Sequence, residues 1–201
     1  RKRIGDLLSF NKIPVILGGE HSISFGAVQA LKKKYPAISV LQLDAHADMR
    51  DTYQGTPHSH ASVGRRISEL CQLVQAGIRS MSKEEASFLA ESDVKTFSMD
   101  FIHEHPEWKK KICENLSGDI YVTIDLDVFD PSLMPAIGTP EPGGIYWNDL
   151  LDLIREVSSR CAIRGFDIVE LTPIPGMIAP DFLAAKLTYR IMGYITEGGE
   201  N

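Results

Sequence analysis

The chain has 201 residues, 27 acidic and 21 basic side chains, and a formal net charge of −6 at neutral pH. Hydrophobic residues make up 43% and charged residues 24%, the balance of a soluble globular domain, which excludes disorder; the lack of any repeat excludes collagen-like and coiled-coil character. No run reaches the ~18 apolar residues of a membrane span, no signal segment opens the chain, and the acidic balance speaks against nucleic acid and for a cationic ligand. Cys71, Cys113 and Cys161 are odd in number and far apart, so they read as buried free thiols of a reducing cytoplasm rather than a disulfide framework or zinc ribbon.

Along the chain, short Val/Ile-rich runs alternate with longer amphipathic ones. Residues up to about Asn11 read as the end of a helix. Strands are predicted at Pro14–Leu17, Ser39–Leu43, Leu73–Ala76, Val94–Phe97, Ile120–Ile124 and Ile163–Val169. Their apolar residues are nearly continuous rather than alternating, as in strands buried on both faces. Between them the pattern predicts helices at Ile23–Lys34, Ala61–Cys71, Lys83–Glu91, Glu107–Asn115, Trp147–Ser159 and Pro180–Tyr194. The first is expected to be capped by Ser22, to place Phe25, Val28 and Leu31 on one face, to carry Lys32, Lys33 and Lys34 at its C-terminal dipole, and to stop at Pro36. This alternation implies an α/β fold, a parallel sheet covered on both sides, and no composition shift divides residues 1–201 into more than one domain. Two long polar loops, Asp44–His60 and Asp125–Tyr146, leave strand ends, where open α/β sheets place ligands.

Chemistry concentrates at those ends. In LDAHADMR, Asp44, His46 and Asp48 are each two residues apart, so an extended chain points all three the same way. Asp125 and Asp127 in VTIDLDVFDP repeat the spacing, and His21 in LGGEHS follows another strand. Taken singly, each could be an acidic turn or a helix cap; together, after three buried strands, they form one set of six potential ligands. Four close carboxylates repel one another strongly unless positive charge sits among them. Two divalent cations balance four aspartates, and two imidazoles with carboxylates and no thiolate favour Mn²⁺ over structural zinc.

GGEHS, DAHAD and TIDLDVFDPSLMPAIGTPEPGG resemble, in order, the motifs of the ureohydrolases, the arginase and agmatinase family of binuclear manganese enzymes. The resemblance spans essentially the whole chain. It implies a three-layer α/β/α fold lacking the family's N-terminal segment, and hydrolysis of a guanidinium group to urea and an amine by a metal-bridging hydroxide. It further implies that His21 and Asp48 bind one manganese and His46 and Asp127 the other, with Asp44 and Asp125 bridging both. Asp48 would pass a proton to the leaving amine, His60 in HSHAS would shuttle protons at the site mouth, and Glu170 in FDIVELTP would bind the guanidinium. The same resemblance implies a cytoplasmic homo-oligomer, trimer or hexamer. His58 reads as a solvated loop residue, Asp130 before Pro131 as a turn former, Glu20 as support for its neighbouring ligand, and Gly18–Gly19 and Gly143–Gly144 as tight turns. Agmatine is the expected substrate, because the loop MRDTYQGTPHSHAS and the GTPEPGG stretch resemble agmatinases more than arginases. Arg50, the cation that could instead pair with a substrate carboxylate, is expected to pair with an aspartate such as Asp51. The alternatives are arginase or guanidinobutyrase activity, a two-metal phosphohydrolase using Arg50, Arg65 or Arg66 as clamps, and a silent member that binds a polyamine or a partner protein.

Overall fold

The computed structural model describes residues 1–197. Six parallel strands form one sheet in the order β1-β6-β5-β2-β3-β4: β1 Val15–Leu17, β2 Ser39–Leu43, β3 Leu73–Ile78, β4 Lys95–Ser98, β5 Asp119–Asp125 and β6 Ala162–Val169. The helices are α1 Lys2–Ser9, α2 Ile23–Lys34, α3 Val63–Ser68, α4 Lys83–Glu91, α5 Met99–Glu104, α6 Trp108–Cys113, α7 Trp147–Arg160 and α8 Ile178–Glu197. The continuous apolar runs have the cause the sequence suggested: β2 and β3 are buried along their whole length, each sheet face meeting a helical layer. On one face Val40, Ile78 and Tyr121 pack with α1–α4; on the other Leu41, Leu43, Val122 and Phe166 pack with α5–α8. The architecture is a three-layer α/β/α sandwich.

Strand order decides where a site can form. From β2 the chain steps outward through β3 to β4, then returns to β5 on the other side of β2 and steps outward to β6. The order reverses between β2 and β5, and such a switch point opens a crevice at the strands' C-terminal ends. Leu43 pairs with Ile124, so the next residues, Asp44 and Asp125, leave the sheet side by side at that crevice.

Several expectations shift. The Ala61–Cys71 helix is shorter: a 3₁₀ turn, His60–Ser62, precedes α3. α8 begins two residues earlier than predicted and runs to Glu197. α5 was not anticipated, although Ser98 caps it by accepting the Phe101 N–H at 3.2 Å and Asp100 sits in its first turn. Ser22 does not cap α2: its backbone is already helical and its hydroxyl turns back to Glu20. Cys71, Cys113 and Cys161 are free thiols; Cys113 and Cys161 are buried as expected but Cys71 only partly, and burial raises Cys71 to about 11 and Cys113 to about 12. Among the described residues no helix is long and apolar enough to cross a membrane.

Candidate metal centre

Each acidic motif closes through a tight turn rather than an extended strand. Asp44 Oδ1 accepts the His46 N–H at 2.7 Å, and Asp125 Oδ1 accepts the Asp127 N–H at 2.9 Å. Both are Asx turns, in which a carboxylate replaces a backbone acceptor two residues on. These residues therefore converge through turns, not through the same-side alternation of an extended strand. Leu126–Val128 is a 3₁₀ turn, and Asp48 has a left-handed backbone with φ of 54°. Asp tolerates that conformation because its short side chain bonds locally. The bend returns Asp48 to the crevice after Ala45 and Ala47 have docked on β3's exit, where Ala47 N–H donates to Ser80 O and Ser80 N–H to Ala45 O.

At the centre lies His21, fully buried at the end of the β1 loop. Its Nδ1 faces carboxylate oxygens of Asp44, Asp48 and Asp125 at 3.2, 3.3 and 3.2 Å. That nitrogen has no hydrogen-bond partner. One ring nitrogen carries at most one proton and cannot serve three carboxylates, whereas a cation among these four groups satisfies all of them. The donor set therefore fits a divalent metal. A second grouping joins Asp44, His46 and Asp127, with His46 Nδ1 2.8 Å from Asp127 Oδ2. Asp44 belongs to both groups; Asp125 turns one oxygen to His21 and the other to its own Asx turn.

Electrostatics point the same way. Burial, then repulsion from Asp48 and Asp127, raises Asp44 to about 7, and burial pushes Asp125 well above the carboxylate range. Burial opposes charge on His46, yet Asp127 and its neighbours raise the imidazole to about 9. Asp127 is lowered despite burial, because it accepts from His46 and from the Ala45 N–H. The crevice thus pulls in positive charge wherever it can find it.

A cleft of about 450 Å³ opens over this cluster, lined among others by Glu20, Asp48, Tyr53, His60, Thr139 and Glu170. Glu170 directly follows β6 with a left-handed φ of 65°, and its Oε1 accepts the His21 N–H at 2.7 Å. His60 stands at the mouth, half exposed, beside Tyr53. His58 is exposed and stacks on Phe25, outside the cleft. Glu20 does not support His21 directly; it holds His60 instead. Arg50 pairs with Glu85 at 3.9 Å rather than with Asp51, which takes Arg66.

Sequence reasoning missed three supports. Gln42, inside β2, donates to Asp44 Oδ2 at 2.8 Å and accepts from Gln75 of β3, an amide chain that fixes the carboxylate. Thr123, two residues before Asp125, sits 2.8 Å from His21 Nε2 and donates to buried Asp167 at 2.6 Å. Arg79 spreads its guanidinium over the carbonyls of Gly77, Asp127, Val128, Phe129, Glu141 and Pro142. Gly77 permits this approach: with φ of 96°, an added Cβ would meet Val128 Cγ2 at 2.8 Å and Asp44 O at 2.9 Å.

Asp130 is a turn former, as its sequence context suggests. It accepts from the N–H groups of Ser132 at 2.9 Å and Gly143 at 2.8 Å, pinning the Asp125–Tyr146 loop, and the Ser132 contacts foremost lower it to about 2. A carboxyl lowered on folding stabilises above its unfolded value near 3.8 and loses that contribution as pH falls through about 2. Asp130→Ala is expected to lower the melting temperature by about 3 °C at pH 6, the size of ~1 kcal/mol of lost anchoring hydrogen bonds. The gap should narrow steadily in melts as pH falls from about 4 to about 2.

A three-layer fold with an acidic, histidine-bearing crevice at its switch point defines a class of metal-dependent α/β proteins. The family model described as arginase family matches residues 1–193, and the chain belongs to that family. It is 37% identical over 194 residues to the N(1)-aminopropylagmatine ureohydrolase of Synechocystis sp., covering 95% of this chain and 63% of that relative. It is 38% identical over 176 residues to the agmatinase of Bacillus cereus, covering 85% of this chain and 59% of that relative. The solved agmatine ureohydrolase of Thermoplasma volcanium superposes with a TM-score of 0.87 at 34% identity, covering 97% of this chain and 66% of that one. The chain spans about 60% of the length of these curated relatives.

Proposed function

We propose that this chain hydrolyses the guanidinium group of agmatine, taking up water and releasing urea and putrescine. The observation that carries the reading is the buried His21 Nδ1, without a partner and ringed by three carboxylate oxygens. In this reading His21 and Asp48 would hold one Mn²⁺ and His46 and Asp127 a second, with Asp44 and Asp125 contributing further carboxylate oxygens. Oxygen-rich donors without a thiolate support manganese. Bound there, the two cations would supply an acidified water able to attack at neutral pH.

The chain's own residues do the rest. Glu170, at the end of β6 in the cleft, offers a carboxylate to the planar guanidinium through charge-assisted hydrogen bonds and so orients the carbon toward the cluster. Asp48 lines the cleft, and in this reading its carboxylate passes a proton to the departing amine. His60 at the mouth exchanges protons between the cleft and water. The acidic rim and the net charge of −6 suit a dication, and the Arg50–Glu85 pair leaves that guanidinium partly neutralised rather than free for a substrate carboxylate. The reading also includes a homo-oligomer, supported by the exposed apolar stripe Ile178, Phe182, Tyr189 and Met192 on α8.

A second substrate has specific support: a relative that matches nearly the whole chain is named for N(1)-aminopropylagmatine, an agmatine carrying a further amine. Urea release from agmatine, N(1)-aminopropylagmatine, arginine and 4-guanidinobutyrate, with manganese restored after chelation, tests both. The kcat/KM for agmatine should exceed that for arginine at least about tenfold, or ~1.4 kcal/mol of differential transition-state binding. Equal or faster hydrolysis of arginine or guanidinobutyrate removes agmatine as the substrate, and no urea from any of the four removes the reading itself.

A further inference from the structure

We propose that Glu20 is the positioning residue of His60: it holds the imidazole and the mouth loop in one orientation and fixes which ring nitrogen is free to exchange protons. The inference rests on the reading of His60 as the proton shuttle. Its observation is one carboxylate with all its acceptor capacity in use. Glu20 Oε2 accepts the His60 N–H at 2.9 Å and faces His60 Nδ1 at 3.2 Å, across a separation of forty residues. Glu20 Oε1 accepts the Ser22 N–H at 3.1 Å and the Ser22 hydroxyl.

An exposed glutamate held by one ion pair would contribute little, because side-chain entropy and solvent screening offset the attraction. Here the backbone contacts remove that freedom before the imidazole is engaged. A carboxylate only accepts, so the contact with Nδ1 requires the proton on that nitrogen and leaves Nε2 as the basic one. The ring of Tyr53, edge-on with centroids 5.3 Å apart, limits the imidazole from another side. Glu20, Tyr53 and His60 all line the cleft. Two loops that diverge in sequence, the β1–α2 connection and the long loop after β2, are thereby fastened at the place where substrate enters.

The test is a cycle of Glu20→Ala, His60→Asn and the double variant, each assayed for turnover, rescue by added imidazole and metal content. Nitrogen chemical shifts of the His60 ring, read by NMR in the metal-free protein, give a measurement independent of activity. Glu20→Ala should slow turnover about tenfold with KM little changed, the size typical of a lost orienting partner. Imidazole should restore part of the rate in both single variants, the double variant should match His60→Asn within about twofold, and the NMR should show the Nδ1–H tautomer losing its dominance. Glu20→Gln, which retains one acceptor oxygen, should fall between wild type and alanine and serves if the alanine variant does not fold.

A Glu20→Ala enzyme at full speed beside a slowed His60→Asn overturns the proposal, as do multiplying losses in the double variant or metal loss without imidazole rescue, which would place Glu20's effect on His21. If His60→Asn itself slows turnover less than about threefold, the shuttle reading fails first and takes this inference with it.

Discussion

Replacing Asp127 by alanine is expected to cut turnover at least about a hundredfold and to leave close to one tightly held manganese per chain, where the binuclear reading expects the wild type to bind close to two. Among the described residues Asp127 is the only carboxylate within 3 Å of a His46 ring nitrogen, and it also accepts the Ala45 N–H at 3.0 Å. Its removal strips one grouping of its best-placed oxygen and lets the imidazole swing, while the carboxylates around His21 keep their arrangement. Even partners of ligands typically cost 10–100-fold in metal affinity or activity, so a ligand's own loss sets that as a floor. Elemental analysis under saturating manganese checks both counts. One ion at most in the wild type, or zinc alone, ends the binuclear reading.

Arg79→Met should produce the largest loss of stability among the substitutions considered. The guanidinium donates to six backbone carbonyls, at 2.7 Å to those of Asp127 and Glu141. Methionine roughly matches the length of the stem but offers no donor, so several part-buried carbonyls lose their partners together. Hydrogen bonds to a charged group contribute about 1.5–3 kcal/mol each, and they are not additive when one side chain makes them all. A total of about 3 kcal/mol, or roughly 6–12 °C in melting temperature at this chain length, is expected from thermal melts. Arg79→Lys should recover little, because an ammonium cannot span carbonyls fixed for a planar fork. A melting temperature within 2 °C of wild type for Arg79→Met would contradict the hub role given to this side chain.

The difference between Asp127 and Arg79 shows what a sequence can and cannot display. Asp127 stands in a motif whose chemistry is local: two aspartates after an apolar run already imply crowded negative charge at a strand end. The buried parallel strands were legible for a similar reason, since nothing but a two-sided core explains SVLQL and YVTI. Arg79 carries no such mark. Five of its six partners lie 48 to 63 residues away, on a loop whose approach depends on strand order. Gln42 was equally hidden, a polar residue inside a run read only for its hydrophobicity. Glu20 and Arg50 were visible, but each was assigned the nearest neighbour in sequence, whereas the fold gives them His60 and Glu85. Asp48 and Asp127 reach the crevice through turns that an alternating strand pattern does not contain.

If Glu170 binds the guanidinium and His21 a metal, one hydrogen bond ties the two binding events into a single equilibrium. Glu170 Oε1 accepts the His21 N–H at 2.7 Å, so the carboxylate assigned to the guanidinium is joined to the backbone of a residue assigned to the metal. Whatever draws Glu170 toward the cleft adjusts the loop that aims His21, and whatever fixes His21 pre-orients Glu170. Thermodynamic linkage then makes the effect reciprocal: the factor by which metal raises affinity for a guanidinium ligand equals the factor by which that ligand raises affinity for metal. Couplings of this kind typically amount to about 1–3 kcal/mol, or roughly 5–150-fold. An enzyme built this way would retain its ions most firmly while occupied and surrender them most readily between turnovers, so scarcity of metal and scarcity of substrate would reinforce each other.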